Sequence, residues 1–227
     1  MNSSIRLLIV ALTAAGLLMA ANEAIERCGK AASVLDEVMG TPDQSIPSDL
    51  LAKAHCVAIV PGMKKVGLGL GGKYGKGLLS CRSADKKGWT GPTTVRIEGG
   101  SIGFQIGGSS TDIVLLVMNE SGKSKLLSSK ATLGADASVA GGPVGRTAAA
   151  QTDVQMTAEI LSYSRSKGLF AGVSLEGASL RPDHDDNKRI YNKDVTPKQI
   201  LDGEVEAPAE VAVLAQTLTK YSMHEHK

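Results

Sequence analysis

Apolar residues recur at helical spacing near both ends of the chain and at alternate positions in between. Over 22–39, Ile25, Cys28, Ala32, Leu35 and Val38 fall three or four apart, predicting an amphipathic helix stopped by Gly40-Thr41-Pro42. A short second helix is predicted over 45–54, with Pro47 near its start and Leu50, Leu51 and Ala54 on its apolar side. The period then falls to two. Strands are predicted at 57–60, 66–72, 77–81, 93–97, 101–106, 112–118 and 124–127, with turns at Pro61-Gly62, Gly99-Gly100, Gly107-Gly108 and Glu120-Ser121-Gly122. Further strands are read at 152–160 and 169–175. Thr196-Pro197 is an N-cap with proline at N1, introducing 198–201, and Pro208 opens a last helix with Val211, Leu214, Leu218 and Tyr221 on one side. The predicted class is α+β: a glycine-rich antiparallel sheet or partly closed barrel flanked by N- and C-terminal helices.

The first 21 residues change the picture. Arg6 precedes an apolar run over 7–20 that ends in small residues, the pattern of a secretory signal peptide cleaved near Ala21. The expected division is a signal peptide over 1–21, one domain over 22–221 and a frayed tail over 222–227. An exported, periplasmic or secreted protein is the corresponding expectation. The formal net charge of +2 excludes the strongly basic balance of a nucleic-acid binder. Three cysteines leave one over. If the runs holding Cys56 and Cys81 are neighbouring antiparallel strands, those two sulfurs meet in a disulfide. Cys28 is then a buried small hydrophobe or a free thiol. Zinc fits poorly, since no C-x-x-C occurs and His55 beside Cys56 is a single close pair.

Three motifs suggest chemistry and fail on context. Gly67-Leu68-Gly69-Leu70-Gly71-Gly72-Lys73 approaches both a dinucleotide loop and a phosphate loop, but Tyr74–Cys81 reads as strand rather than helix. Alternate glycines there fit a strongly bent strand packed closely on another backbone. Gly99-Gly100-Ser101-Ile102-Gly103 matches a nucleophile elbow in letters, yet Phe104–Gly107 also reads as strand. Asp183-His184-Asp185-Asp186 lacks the spacing and glycine of a calcium loop and reads as a solvated polar loop. No catalytic, metal-binding or cofactor-binding residues are assigned. Basic residues are better candidates. Lys64, Lys65, Lys73, Lys76, Lys86, Lys87 and Arg82 lie near strand ends, where they could meet anionic headgroups.

From His55 onward the chain resembles the SYLF domain. The matching stretches, in family order, include Val57-Ala58-Ile59-Val60-Pro61, Gly71-Gly72-Lys73-Tyr74-Gly75-Lys76-Gly77, Gly88-Trp89-Thr90-Gly91-Pro92 and Gly99-Gly100-Ser101-Ile102-Gly103-Phe104. Leu133-Gly134-Ala135-Asp136, Gly141-Gly142-Pro143-Val144-Gly145-Arg146 and Tyr163-Ser164-Arg165-Ser166-Lys167-Gly168-Leu169-Phe170-Ala171-Gly172 come next, and Asn187 to Tyr191 with Ile200-Leu201 close the pattern. The resemblance implies a non-catalytic domain that binds phospholipid, phosphoinositides included, without a cofactor. The expected lipid-facing residues are Lys64, Lys65, Lys73, Lys76 and Arg82, with Ile25 and Leu35 of the 22–39 helix. That helix also carries Glu23, Glu26, Asp36 and Glu37, a departure from the basic helix of eukaryotic members. Actin is discounted as a partner because an exported chain would not meet it. The alternatives are a structural envelope protein recruiting an unknown protein partner and, third, a serine hydrolase using Ser101.

Overall fold

Two long strands, β1 (Cys56–Cys81) and β2 (Thr93–Val117), organise the chain as a single antiparallel hairpin. The computed structural model describes residues 3–41, 45–85, 87–145, 157–166 and 168–222, with side chains described outside 3–20, 66–70 and 101–108. β2 is central. Along its other edge, 95–98 pair with β7 (Ser179–Pro182) and 112–117 with β5 (Ile160–Ser166). β3 (Ala131–Thr132) extends the β7 side, while β4 (Val139–Gly141) and β6 (Leu169–Gly172) flank β5. Among the strands of the described residues only β4 pairs in parallel, so the expected sheet is antiparallel but for that edge.

Strands this long cannot stay flat, because each residue adds right-handed twist. Here the hairpin curls until the two ends of β1 meet, and Cys56 and Cys81 form a disulfide. The expected cystine is present, but it joins the ends of one strand rather than two neighbouring strands. The curl has local causes. Gly62, with φ of 60°, sits in a register shift between Val60 and Met63, and a second shift falls between Gly67 and Gly69. Gly99-Gly100 and Gly107-Gly108 stay in the ladder, so the turns expected there are bends within one strand.

The close backbone approach expected of the glycine run lies further along. A Cβ on Gly77 would be 2.3 Å from the Ile59 carbonyl oxygen, and one on Gly75 would be 2.6 Å from Val60 Cγ1. At Gly72 the nearest atom is 4.0 Å away, so nothing presses on that position.

Alternation along the curled strands gives the sheet two apolar faces. Cys56, Ala58, Val60, Val95, Ile97, Ile113, Leu115 and Leu180 point into the curl, closed by Leu126 of α3 (Glu120–Leu126) and Leu201 of α5 (Pro197–Leu201). Val57, Ile59, Leu78, Val114, Leu116 and Tyr163 point outward beneath three helices, α1 (Ser3–Met39), α2 (Ser48–Lys53) and α6 (Ala212–Ser222). α1 runs unbroken through the position read as a cleavage point. Ala24, Cys28, Ala31, Leu35 and Val38 form its buried face. Burial pushes the Cys28 thiol up to about 12, which suits a small hydrophobe rather than a nucleophile. Among the described residues no helix is long and apolar enough to cross a membrane.

Two other expectations change. Of the strand read at 124–127, residues 124–126 belong to α3 and Leu127 is its C-cap, because Asn119 caps the helix by accepting the Gly122 N–H at 2.8 Å and Leu126 turns into the core. Of the strand read at 152–160, residues 152–156 lie outside the described residues, and Ile160 opens β5. The tail beyond Ser222 is likewise outside them.

The disulfide closes a separation of 25 residues. A Cys81→Ser chain is therefore expected to lose about 2–4 kcal/mol of unfolding free energy. Urea unfolding, compared with wild type under non-reducing conditions, reads this directly; equal midpoints would show that the curl holds without the bond.

Candidate functional site

The bend of the hairpin gathers charge that the rest of the fold does not neutralise. Lys64 and Lys65 leave the first limb of β1 exposed, and Lys73 enters the second limb half-buried. The curl brings Lys73 within reach of Lys65: burial first, and then the Lys65 charge, lower the Lys73 amine below its ordinary value. Among the described residues none of the three has a carboxylate partner.

The other two basic candidates serve the scaffold. Lys76 reaches Asp183 at 2.9 Å and Asp186 at 3.0 Å, beneath α4 (His184–Tyr191). Arg82 donates to the carbonyls of Leu51 and Ala52 at the end of α2, at 3.3 and 2.9 Å, and its guanidinium lies 4.3 Å from the centre of the Trp89 ring. Of the apolar candidates, Ile25 is partly buried against the core, whereas Leu35 is fully buried and meets no solvent. The 22–39 helix is therefore a wall of the domain, with its apolar side facing inward.

Between α1 and the bend lies an open groove of about 690 Å³. Its polar anchor is Arg165, which sequence reasoning placed only within a family motif. The guanidinium donates to Asp112 Oδ2 from Nε at 3.0 Å and from Nη2 at 2.8 Å, and its Nη1 meets Glu37 of α1. The other Asp112 oxygen accepts the Gly62 N–H at 2.8 Å, so one carboxylate holds both the bulge and the arginine.

The segment read as a solvated polar loop is the start of a helix, with Asp183 and Asp186 buried and His184 and Asp185 exposed. Asp183 caps α4, and Asp183 and Asp186 are 4% and 2% exposed. Asp186 also accepts from Arg27 at 2.8 Å and Arg189 at 2.6 Å, tying α1, β1 and α4 together. The cost of desolvation alone would have kept these charges exposed; four cationic contacts offset it. Beside them Asn187, fully buried, accepts from Thr94 N at 2.7 Å and donates to Thr93 Oγ1 at 2.8 Å.

Ser101 lies within β2, opposite Gly71, and the strand continues on both sides. A nucleophile elbow needs a strand–turn–helix at this point, which the backbone does not provide. The phosphate-loop reading of 67–73 fails for the same reason.

Residues 98–221 match the family model Ysc84, described as Las17-binding protein actin regulator. LAS seventeen-binding protein 3 of Saccharomyces cerevisiae is 35% identical over 198 residues, covering 83% of this chain and 42% of the relative. An SH3 domain-containing protein of Schizosaccharomyces pombe is 36% identical over 200 residues, covering 84% and 46%. The human SH3 domain-containing YSC84-like protein 1 is 32% identical over 199 residues, covering 85% and 58%. The chain thus spans about half the length of these relatives.

These names overturn two expectations. Actin, discounted on the sequence reading, stands in the family's own description. The exported, periplasmic or secreted location rests on 21 residues, whereas the match covers most of the chain, and these relatives are yeast and mammalian proteins named for Las17 binding and SH3 domains, not for export. The SYLF resemblance itself holds, and the chain belongs to the Ysc84 family of Las17-binding protein actin regulators.

Proposed function

We propose that this chain is a non-catalytic binding domain that docks on anionic phospholipid through the lysine-bearing bend of its β1–β2 hairpin. The observation that carries the reading is that Lys64, Lys65 and Lys73 have no carboxylate partner among the described residues, with two of them exposed and the Lys65 charge felt by Lys73. Unneutralised like charges held together on a fold weaken it, unless they meet an anion. Each lysine near an anionic surface contributes about 1 kcal/mol, so three together give about a hundredfold in partition.

A Lys64→Gln, Lys65→Gln, Lys73→Gln chain is expected to sediment about a hundredfold more weakly with vesicles of mixed phosphatidylcholine and phosphatidylserine. Its melting temperature should stay at or above that of wild type, because the change relieves repulsion. Equal sedimentation of the two chains would remove the bend from the reading. Deleting 22–39 is a poor test, since it strips Cys28, Ala31 and Leu35 from the core.

The family description favours a second reading, a protein partner of the Las17 kind. It is distinguished by binding that persists in the triple-glutamine chain and does not depend on lipid.

A further inference from the structure

A second charged surface lies on the same hairpin, beyond the bend. In the ladder Lys76 stands directly opposite Arg96, and Arg96 directly opposite Arg181, so three cations form one row across β1, β2 and β7. Like charges placed directly opposite destabilise a sheet. Lys76 is neutralised by Asp183 and Asp186. The two arginines share a single carboxylate, Glu98, at 3.0 Å from Arg96 Nε and 3.5 Å from Arg181 Nε. Neither approach is aligned as a hydrogen bond, and both Nε atoms are buried without a hydrogen-bond partner. All three side chains are about one-third exposed. Tyr74, 47% exposed, stands opposite Glu98 on the same face.

We propose that this face is a docking surface for an acidic protein segment, with Arg96 and Arg181 gripping carboxylates and Tyr74 contacting the chain beside them. Charge complementarity selects the partner: two guanidinium forks share one carboxylate, and a fork binds a carboxylate in two parallel hydrogen bonds. The backbone selects a peptide over a compact phosphate. β2 is paired along both edges at 95–98, so the face offers side chains and no cradle of free N–H groups. An extended segment places alternate side chains about 6.6 Å apart, within reach of two arginines on strands about 4.8 Å apart. Glu98 then acts as the resident carboxylate that an incoming one displaces. The surface is separate from the lysine bend and does not depend on the phospholipid reading.

Fluorescein-labelled octaglutamate, titrated into the full chain and followed by anisotropy, tests this. Saturable binding is expected, weakened at least tenfold in Arg96→Gln and in Arg181→Gln. Glu98→Gln should tighten it severalfold, an effect that a merely structural glutamate would not produce. Arg96→Lys, which keeps the charge and loses the fork, should behave like Arg96→Gln and guards against misfolding of the latter. The Lys64→Gln, Lys65→Gln chain, which loses more charge, should bind octaglutamate as wild type does. The proposal is overturned by absent binding, by equal weakening in that lysine variant, or by unchanged or weaker binding in Glu98→Gln. Competition by inorganic phosphate at concentrations below those of octaglutamate would reassign the arginines to a phosphate site and also overturn it. Absence of vesicle binding by the wild-type chain, with its octaglutamate binding intact, would sink the phospholipid reading alone.

Discussion

Asp186→Asn is expected to lower unfolding free energy by about 3–5 kcal/mol, the loss incurred when one partner of a buried ion cluster is removed. The reason is geometric. Asp186 is 2% exposed, and Arg27, Lys76 and Arg189 all direct donors at it. The amide cannot balance three cations, and Arg27, whose side chain is only 14% exposed, keeps no other partner in the cluster. Replacing one of the outer cations is a milder change. Arg189 is 31% exposed and one helical turn away, so Arg189→Gln should cost about 0.5 kcal/mol. Urea midpoints for the two variants measure the contrast; equal losses would mean that Asp186 is not the hub.

The same carboxylate predicts a pH dependence. Burial pushes its pKa up, but the hydrogen bonds from Lys76, Arg189 and Arg27 outweigh burial and hold it below the ordinary 3.8. A depressed folded pKa contributes stability that is complete above the unfolded value and is lost as pH falls through the folded one. The stability gap between wild type and Asp186→Asn should therefore stay constant above about pH 5 and close as pH falls below 3.8. A gap that widens in acid would refute the sign of this argument.

Gly77→Ala is expected to cost at least about 3 kcal/mol, at the upper end of what overpacking does. Its new methyl would lie 2.3 Å from Ile59 O and 2.8 Å from Val60 Cα. Both are backbone atoms of the other limb of β1, and they cannot swing aside as a side-chain end would. Relief requires the curl to open, which strains the Cys56–Cys81 closure. Gly72→Ala is the control. Its nearest neighbour is 4.0 Å away, its backbone is ordinary for an alanine, and the change should leave stability within about 0.5 kcal/mol. If Gly72→Ala destabilised as much as Gly77→Ala, close packing at the crossing would not be the cause.

Much of the family signature is scaffold. Tyr163, fully buried, stacks on Phe170 at 5.3 Å, and a Cβ on Gly142 would fall 2.0 Å from its ring. Tyr191 donates to Pro92 O at 2.9 Å, and Asn187 secures the start of β2. These residues were visible in the sequence as a pattern, but their role was not, because each partner lies far along the chain.

The sequence by itself determined the α+β class, the helices at both ends, the period-two middle and the family. Those are local periodicities and ordered motifs, legible wherever one face of a segment is buried. It also singled out Cys56 and Cys81, though as neighbours on two strands. Only the tertiary structure decided that strands read as separate merge into two, since a glycine pair can bend a ladder as well as end it, and neighbouring strand pairing settles which. Charge was the least legible. Lys65, Lys73 and Lys76 look alike as letters; burial and long-range partners make Asp186 a hub, tie Lys76 to it, and leave Lys65 and Lys73 near each other at the bend. The same curl that closes β1 on itself sets Lys65 near Lys73, and no spacing along the chain specifies where a strand crosses its own beginning.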